Sequence, residues 1–443
     1  MKKDQTFYIP ILCLIFLAGL IAMRYLPPIN IMGYELKTID MFSDVENEVP
    51  TVEENLPIVA IKPQNKIQCP EGQICIEDYS EDQNYFGNLF HHLQNISLEK
   101  DKVRIAFFGD SFIEGDILSG DFRNLLQDKF GGSGVGWVPI ASEVAQFRQT
   151  IKENFKGFKN FDAVHNPKEK VPYPPFGICT IPLTGNEASF YGTNFSSRTE
   201  YIPGFRLFYQ TPNTLKIKVE TDKETQEVKA EAGTLMNIVE VNYHPAKNVN
   251  LSFSTSPNTY LYGVSFEGSS GVYIDNFSLR GNSGLSLLSS SDEMHKALNK
   301  IQDYKLVILQ YGINAVNEKT KDLSWYTRMM NKVVAEVKEA YPQAAILLVG
   351  VGDRSRKING QYKTMPTIKL MIDAQRSVAA ENKIAFWNMY EAMGGENSMV
   401  NYVKSKPPKA NLDYTHLNFL GGKEIGSSLY KSLLFEYERY KNN

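Results

Sequence analysis

Cysteine and histidine are scarce in this chain, and charge of the two signs is nearly balanced. There are four cysteines and six histidines in 443 residues. Cys69 and Cys75 lie close together, but no further ligand falls at the spacing of a zinc site, so a structural zinc fold is excluded. A net charge of −3 offers no basic field to hold a polyanion, which removes nucleic acid as an expected partner. Internal repeats and low-complexity tracts are absent. Long apolar runs are missing too, except for Phe7 to Met23, preceded by Lys2 and Lys3 and followed by Arg24.

That run is long enough for a membrane span, and its flanking charges favour a cytoplasmic N-terminus with the remainder exported. Two alternatives stay open for 1–30: an uncleaved inner-membrane anchor, which is the expectation, or a signal segment cut near Leu20-Ile21-Ala22. Cys13 follows Leu12 rather than a small residue, which argues against lipidation. The body is expected in the periplasm. The loop Cys69-Pro70-Glu71-Gly72-Gln73-Ile74-Cys75 suits an oxidising compartment if its ends close as a disulfide; two unpaired thiols are the alternative.

At 42% hydrophobic residues the chain has material for the cores of about two or three domains. Residues 31–95, rich in Pro, Glu, Asp and Asn, read as a juxtamembrane spacer, with Tyr85–Leu98 as a candidate first helix. Residues 96–140 open with the apolar run Val103–Phe108. A helical pattern follows through Ile117, Phe122, Leu126 and Phe130 and stops at Gly131-Gly132. Residues 141–268 change character. Leu215–Val219, Leu251–Ser254 and Tyr260–Phe266 read as short strands, separated by turns such as Ser256-Pro257-Asn258, which predicts an inserted all-β sandwich or jelly roll. Residues 269–443 alternate apolar strands (Val272–Phe277, Leu306–Tyr311, Ala345–Val351, Ile384–Trp387) with helical patterns (Asp292–Ile301, Trp325–Ala340, Thr367–Ala380, Gly422–Tyr437). The expected class is α/β, with a parallel sheet covered on both faces.

Ser111 follows the first of those strands in Gly109-Asp110-Ser111 and is read as opening a helix, which puts its hydroxyl at the mouth of the sheet. A serine there also suits a helix cap. A serine hydroxyl is a weak nucleophile unless a base lies within hydrogen-bond reach. Asp413-Tyr414-Thr415-His416 offers that base, with an acid three residues before it to orient the ring. Taken alone, the same tetrapeptide also fits a capping acid and a surface histidine. His91, His92, His165, His244 and His295 are read as having no acid in a comparable context, hence as surface or packing residues. Asp110 is assigned to support of the turn, and Asp353-Arg354, at the same sheet edge, is either a substrate contact or a structural ion pair, with the ion pair preferred. Tyr191, Tyr201, Phe208, Tyr209 and Tyr243 are either sugar-stacking or core residues of the insert, with core preferred.

These segments resemble the SGNH (GDSL-type) hydrolase family. Gly109-Asp110-Ser111 is similar to its first motif, Asn276-Phe277-Ser278-Leu279-Arg280-Gly281 to its second, Gly312-Ile313-Asn314 to its third and Asp413-Tyr414-Thr415-His416 to its last. One departure is Ala315, where the family usually has Asp. The resemblance implies a flavodoxin-like three-layer α/β/α hydrolase domain with an inserted β-sandwich, as in bacterial peptidoglycan O-acetylesterases. It implies Ser111, Asp413 and His416 as catalytic residues. The implied oxyanion donors are the N–H of Ser111, the N–H of Gly281 (with Gly284 as alternative) and the Asn314 amide. It implies no metal and no cofactor. The expected partner is an acetylated glycan, peptidoglycan first, deacetylated through an acyl-enzyme. Two alternatives remain: an O-acetyltransferase using the same residues, and a non-catalytic glycan-binding envelope protein, against which the intact Ser111, Asp413 and His416 weigh.

Overall fold

The computed structural model describes residues 29–31, 34–36, 68–81, 84–142 and 144–442. The apolar run Phe7 to Met23 lies outside the described residues. Among those described, no helix is long and apolar enough to cross a membrane. The chain divides into two units, Met1–Leu56 and Pro57–Asn443. Of the first, the structure describes an antiparallel pair, Ile29–Ile31 with Tyr34–Leu36.

The second unit holds two large sheets. One has six strands in the order Gly271–Ser278, Lys102–Gly109, Leu306–Gln310, Ala345–Val349, Ala385–Trp387, Ile76–Asp78. The first five are mutually parallel and the last is antiparallel. Numbered along the chain, the parallel strands run 2-1-3-4-5, the flavodoxin-like order. Each is a short apolar run buried on both faces, as a covered parallel sheet requires. Helices Gly87–Glu99, Ser119–Phe130 and Phe419–Asn442 pack together, and Asp292–Gln302, Ser324–Ala340 and Thr367–Glu381 form a second packed set. The segment 31–95 therefore contributes an edge strand and a packed helix, although its polar composition reads as a spacer. Three residues of strand next to a disulfide carry too little periodicity to be recognised beforehand.

The other sheet is antiparallel with nine strands, ordered Thr225–Ala230, Leu215–Thr221, Asn248–Phe253, Ile178–Tyr191, Tyr260–Phe266, Phe205–Thr211, Gly233–Val241. Lys152–Asp162 pairs with the long central strand and Gly136–Val138 with Tyr260–Phe266. The expected sandwich of two sheets is instead one continuous ladder curled around a single core that includes Phe190, Leu207, Ile217, Leu251 and Val264. The reason lies in Ile178–Tyr191. At 14 residues it is long enough to pair with Asn248–Phe253 at one end and Tyr260–Phe266 at the other, so no break separates the halves. Phe208 and Tyr209 are core residues, whereas Tyr191 and Tyr201 are exposed.

The chain leaves the parallel sheet at Gly131-Gly132 and returns at Gly271, where Val272 N–H donates to Gly131 O at 2.9 Å. A Cβ on Gly271 would meet Gly132 N at 2.2 Å. Only glycine lets the outgoing and incoming chains touch this closely.

Candidate active site

The parallel order fixes where the site lies. From Lys102–Gly109 the chain passes to a neighbour on one side, then to one on the other, and crevices form at the carboxyl ends where the direction reverses. Gly109 is level with Ser278 on one neighbour and Gln310 on the other. Ser111, Gly281 and Asn314 lie a few residues beyond that line, on three adjacent strand ends.

Ser111 does not open a helix. Asp110 accepts the Phe112 N–H at 3.0 Å, a short 3-10 turn Glu114–Asp116 follows, and the helix begins only at Ser119. The Ser111 hydroxyl is thus presented by a tight turn. Its Oγ lies 2.9 Å from His416 Nε2. His416 Nδ1 lies 2.7 Å from Asp413 Oδ2, while Asp413 Oδ1 accepts the backbone N–H groups of Thr415 and His416 at 2.9 and 3.0 Å. One carboxylate therefore shapes the loop and orients the ring. Burial works against ionisation of Asp413, but its hydrogen bonds to His416 and Thr415 outweigh it and hold the carboxyl below its ordinary value. The Asp–His loop is accessible, with side chains 48% and 39% exposed, whereas Ser111 is buried.

Two features pin this loop. Tyr414, between the acid and the base, has φ of 56°, a conformation unfavourable for a bulky residue. Its ring stacks on Tyr362 at 3.6 Å and 6°, and its carbonyl accepts the Ser355 N–H at 2.9 Å. Both partners belong to a hairpin, Ser355–Ile358 with Gln361–Thr364, absent from the sequence-based expectation. The signal was present: Asn359-Gly360 is a two-residue hairpin turn, and both residues have positive φ. Asp353 makes no ion pair with Arg354 among the described residues; it accepts the Met399 N–H at 2.8 Å.

Gly281 sits in the turn closed by Asn282 N–H donating to Leu279 O at 3.2 Å, with φ of 75°, and its own N–H makes no hydrogen bond among the described residues. Gly284 N–H is instead committed to Asn282 Oδ1 at 2.9 Å. Asn314 Nδ2 donates to Asn282 O at 3.0 Å and to Asp110 Oδ2 at 3.3 Å. An oxyanion would take over one of these hydrogens, and the longer bond to Asp110 is the weaker one to give up. Complete burial pushes the Asp110 carboxyl up to about 7, despite the hydrogen bond from Phe112 N–H.

Behind the turn lies a buried charge network that the sequence did not disclose. Asp116 receives Arg123 at 2.8 Å, Asn276 Nδ2 at 2.7 Å and the Ser119 hydroxyl at 2.9 Å, with Arg148 3.0 Å away. Burial is outweighed by the two arginines, which hold this carboxyl well below its ordinary value. Ser119 and Arg123 lie close to Asp116 in sequence, but Arg148 and Asn276 are 32 and 160 residues away, so no local motif marks the network.

A cavity of about 600 Å³ is lined by Glu114, Leu279 and Arg280, near Ser111 and Gly281 in the chain, together with Phe147, Asp162 and His165; Ser111, Asn314 and His416 themselves do not line it. Here one expectation needs correction. His165 does have an acid in a comparable context: its Nδ1 lies 2.9 and 3.0 Å from the two oxygens of Asp162, three residues before it. His244 likewise pairs with Glu224 at 3.1 Å. His295 is a packing residue, its Nε2 3.0 Å from Leu287 O.

No family model matches this chain, and no curated protein does. Among solved structures it is similar to a peptidoglycan O-acetylesterase, with 20% identity, a TM-score of 0.68 and coverage of 82% of this chain and 99% of that one. An acetyl xylan esterase (14% identity, 37% of this chain and 81% of that one, TM-score 0.29) also matches. So does a family two carbohydrate esterase from Cellvibrio japonicus (9% identity, 65% and 99%, TM-score 0.26). These last two superpose too poorly to bear on the site. In fold, the chain resembles the peptidoglycan O-acetylesterase over 82% of its length.

Proposed function

We propose that this protein is a serine esterase that removes O-acetyl groups from a cell-envelope carbohydrate, peptidoglycan in the first place. The carrying observation is the Ser111 Oγ to His416 Nε2 contact of 2.9 Å, backed by Asp413 at 2.7 Å. His416 takes the Ser111 proton as Oγ attacks the acetyl carbonyl carbon. The oxyanion is met by the N–H of Ser111 and Gly281 and by the Asn314 amide. Collapse expels the sugar oxygen, which leaves with the proton from His416. Water, deprotonated by the same ring, then attacks the acyl-serine and releases acetate. The Cys69–Cys75 disulfide supports placing the body in an oxidising compartment, the periplasm, with 1–30 as an inner-membrane anchor.

The test is acetate release from O-acetylated peptidoglycan by the purified full-length protein beside Ser111→Ala. The parent is expected to release acetate, and the variant to lose on the order of 10⁴-fold or more in turnover. Activity on an aryl acetate with none on peptidoglycan would move the substrate to another glycan or to acyl transfer. Equal rates for parent and variant would remove Ser111 as nucleophile.

A further inference from the structure

The Asp162–His165 pair is a second Asp-x-x-His unit built like the catalytic one. In both, the first carboxylate oxygen accepts two backbone N–H groups: Val164 and His165 at 2.9 and 2.7 Å here, Thr415 and His416 at 2.9 and 3.0 Å there. In both, the ring Nδ1 faces the carboxylate. Such a contact places the proton of the neutral ring on Nδ1 and leaves Nε2 as an acceptor. His416 Nε2 uses that capacity on Ser111, whereas His165 Nε2 makes no hydrogen bond among the described residues. Asp162 closes the strand Lys152–Asp162 of the curled sheet. His165 is therefore presented by the inserted part of the chain and lines the same cavity as Arg280 and Leu279, the residues just before Gly281.

We infer that His165, oriented by Asp162, is a substrate-positioning residue that accepts a hydrogen bond from a sugar flanking the acetylated one. This role rests on the esterase function proposed above. A Cβ on Gly281 would meet Val164 at 3.8 Å, so the pair stands next to one oxyanion donor, and the cavity wall that holds it also carries exposed Phe147, the mixture of apolar face and directed polar group on which sugar rings dock. Asp162 spends its bonds on fixing the ring, so little is lost in ordering His165 when glycan arrives. Exposure of the His165 side chain, at 58%, means that little packing depends on it.

The experiment measures initial rates of acetate release from soluble O-acetylated peptidoglycan fragments for the full-length parent, His165→Ala, His165→Gln and His244→Ala. His244 is an exposed histidine beside a carboxylate on the same sheet and does not line the cavity. For His165→Ala, KM is expected to rise about tenfold, the loss of one hydrogen bond to an oriented partner, with kcat within about twofold. His165→Gln, which keeps a polar group near the Nε2 position, should recover part of the affinity, and His244→Ala should match the parent. An active parent with unchanged KM in His165→Ala overturns this role alone, as does an equal rise in His244→Ala. A parent that releases no acetate from these fragments removes peptidoglycan as the substrate and this role with it.

Discussion

Asn314 shows how a residue can be legible in sequence while its constraint is not. Gly312-Ile313-Asn314 stands out after an apolar strand, and the strand places it beside Ser111. The acceptors on Asn282 and Asp110 that aim its amide come from elsewhere in the chain, and only the fold brings them near. If this amide stabilises the oxyanion, Asn314→Ala should lower kcat by about 10² to 10³ with little change in KM, because the interaction gains strength as charge develops. Steady-state kinetics on an aryl acetate decide it. A loss confined to KM would instead make Asn314 a ground-state contact. Ser111, His416 and Asp413 were readable for the opposite reason. Each lies within a tight local motif, and their juxtaposition needed only the parallel order to bring two chain ends to one sheet edge. Asp162 and His165 share the spacing of Asp413 and His416 but follow no apolar strand of the parallel sheet, so spacing alone did not draw them out.

At the level of elements, the parallel strands and their helices were readable within a few residues. A strand buried on both faces is a plain apolar run, and the helices between carry a 3.6-residue period. The hairpin from Ser355 to Thr364 was not, because its four-residue strands are polar and lie outside both cores. Yet it holds the loop that carries Asp413 and His416. A non-glycine residue at φ of 56° costs about 1 kcal/mol, and Tyr414 keeps it between Asp413 and His416. Stacking on Tyr362 at 3.6 Å offsets that cost. Tyr362→Ala should therefore lower kcat about tenfold by loosening His416, with global stability reduced by about 1 kcal/mol. Tyr362→Phe, which keeps the stacked ring, should retain parental kcat. Kinetics paired with urea melts separate the outcomes: equal losses in Phe and Ala would assign the effect to the hydroxyl instead.

Over the whole molecule, the two sheets meet at Glu267, between strand Tyr260–Phe266 and the return to the parallel sheet. Its buried carboxylate receives Arg104 at 2.7 Å and Lys102 at 3.2 Å from the Ser111 strand, and Arg206 from the curled sheet lies 3.5 Å away. Burial disfavours its charge, but the cations, Arg104 foremost, prevail and hold its pKa at about 2. A carboxyl depressed on folding contributes stability above its unfolded value near 4.5 and loses it as pH falls toward 2, here roughly 3 kcal/mol. Asp110 and Glu153, both pushed up to about 7 by burial, act in the opposite sense and in another window: they make the fold less stable as pH rises from about 4 to 7. Stability should therefore peak on the acid side of neutrality and fall away below pH 4.5. Glu267→Gln leaves buried cations without their counter-charge, so it should cost about 3–5 kcal/mol at pH 6 and flatten the acid limb. Urea midpoints of parent and variant from pH 7 to pH 3 test this. An acid limb as steep in Glu267→Gln as in the parent would place the acid sensitivity elsewhere than the seam between the sheets.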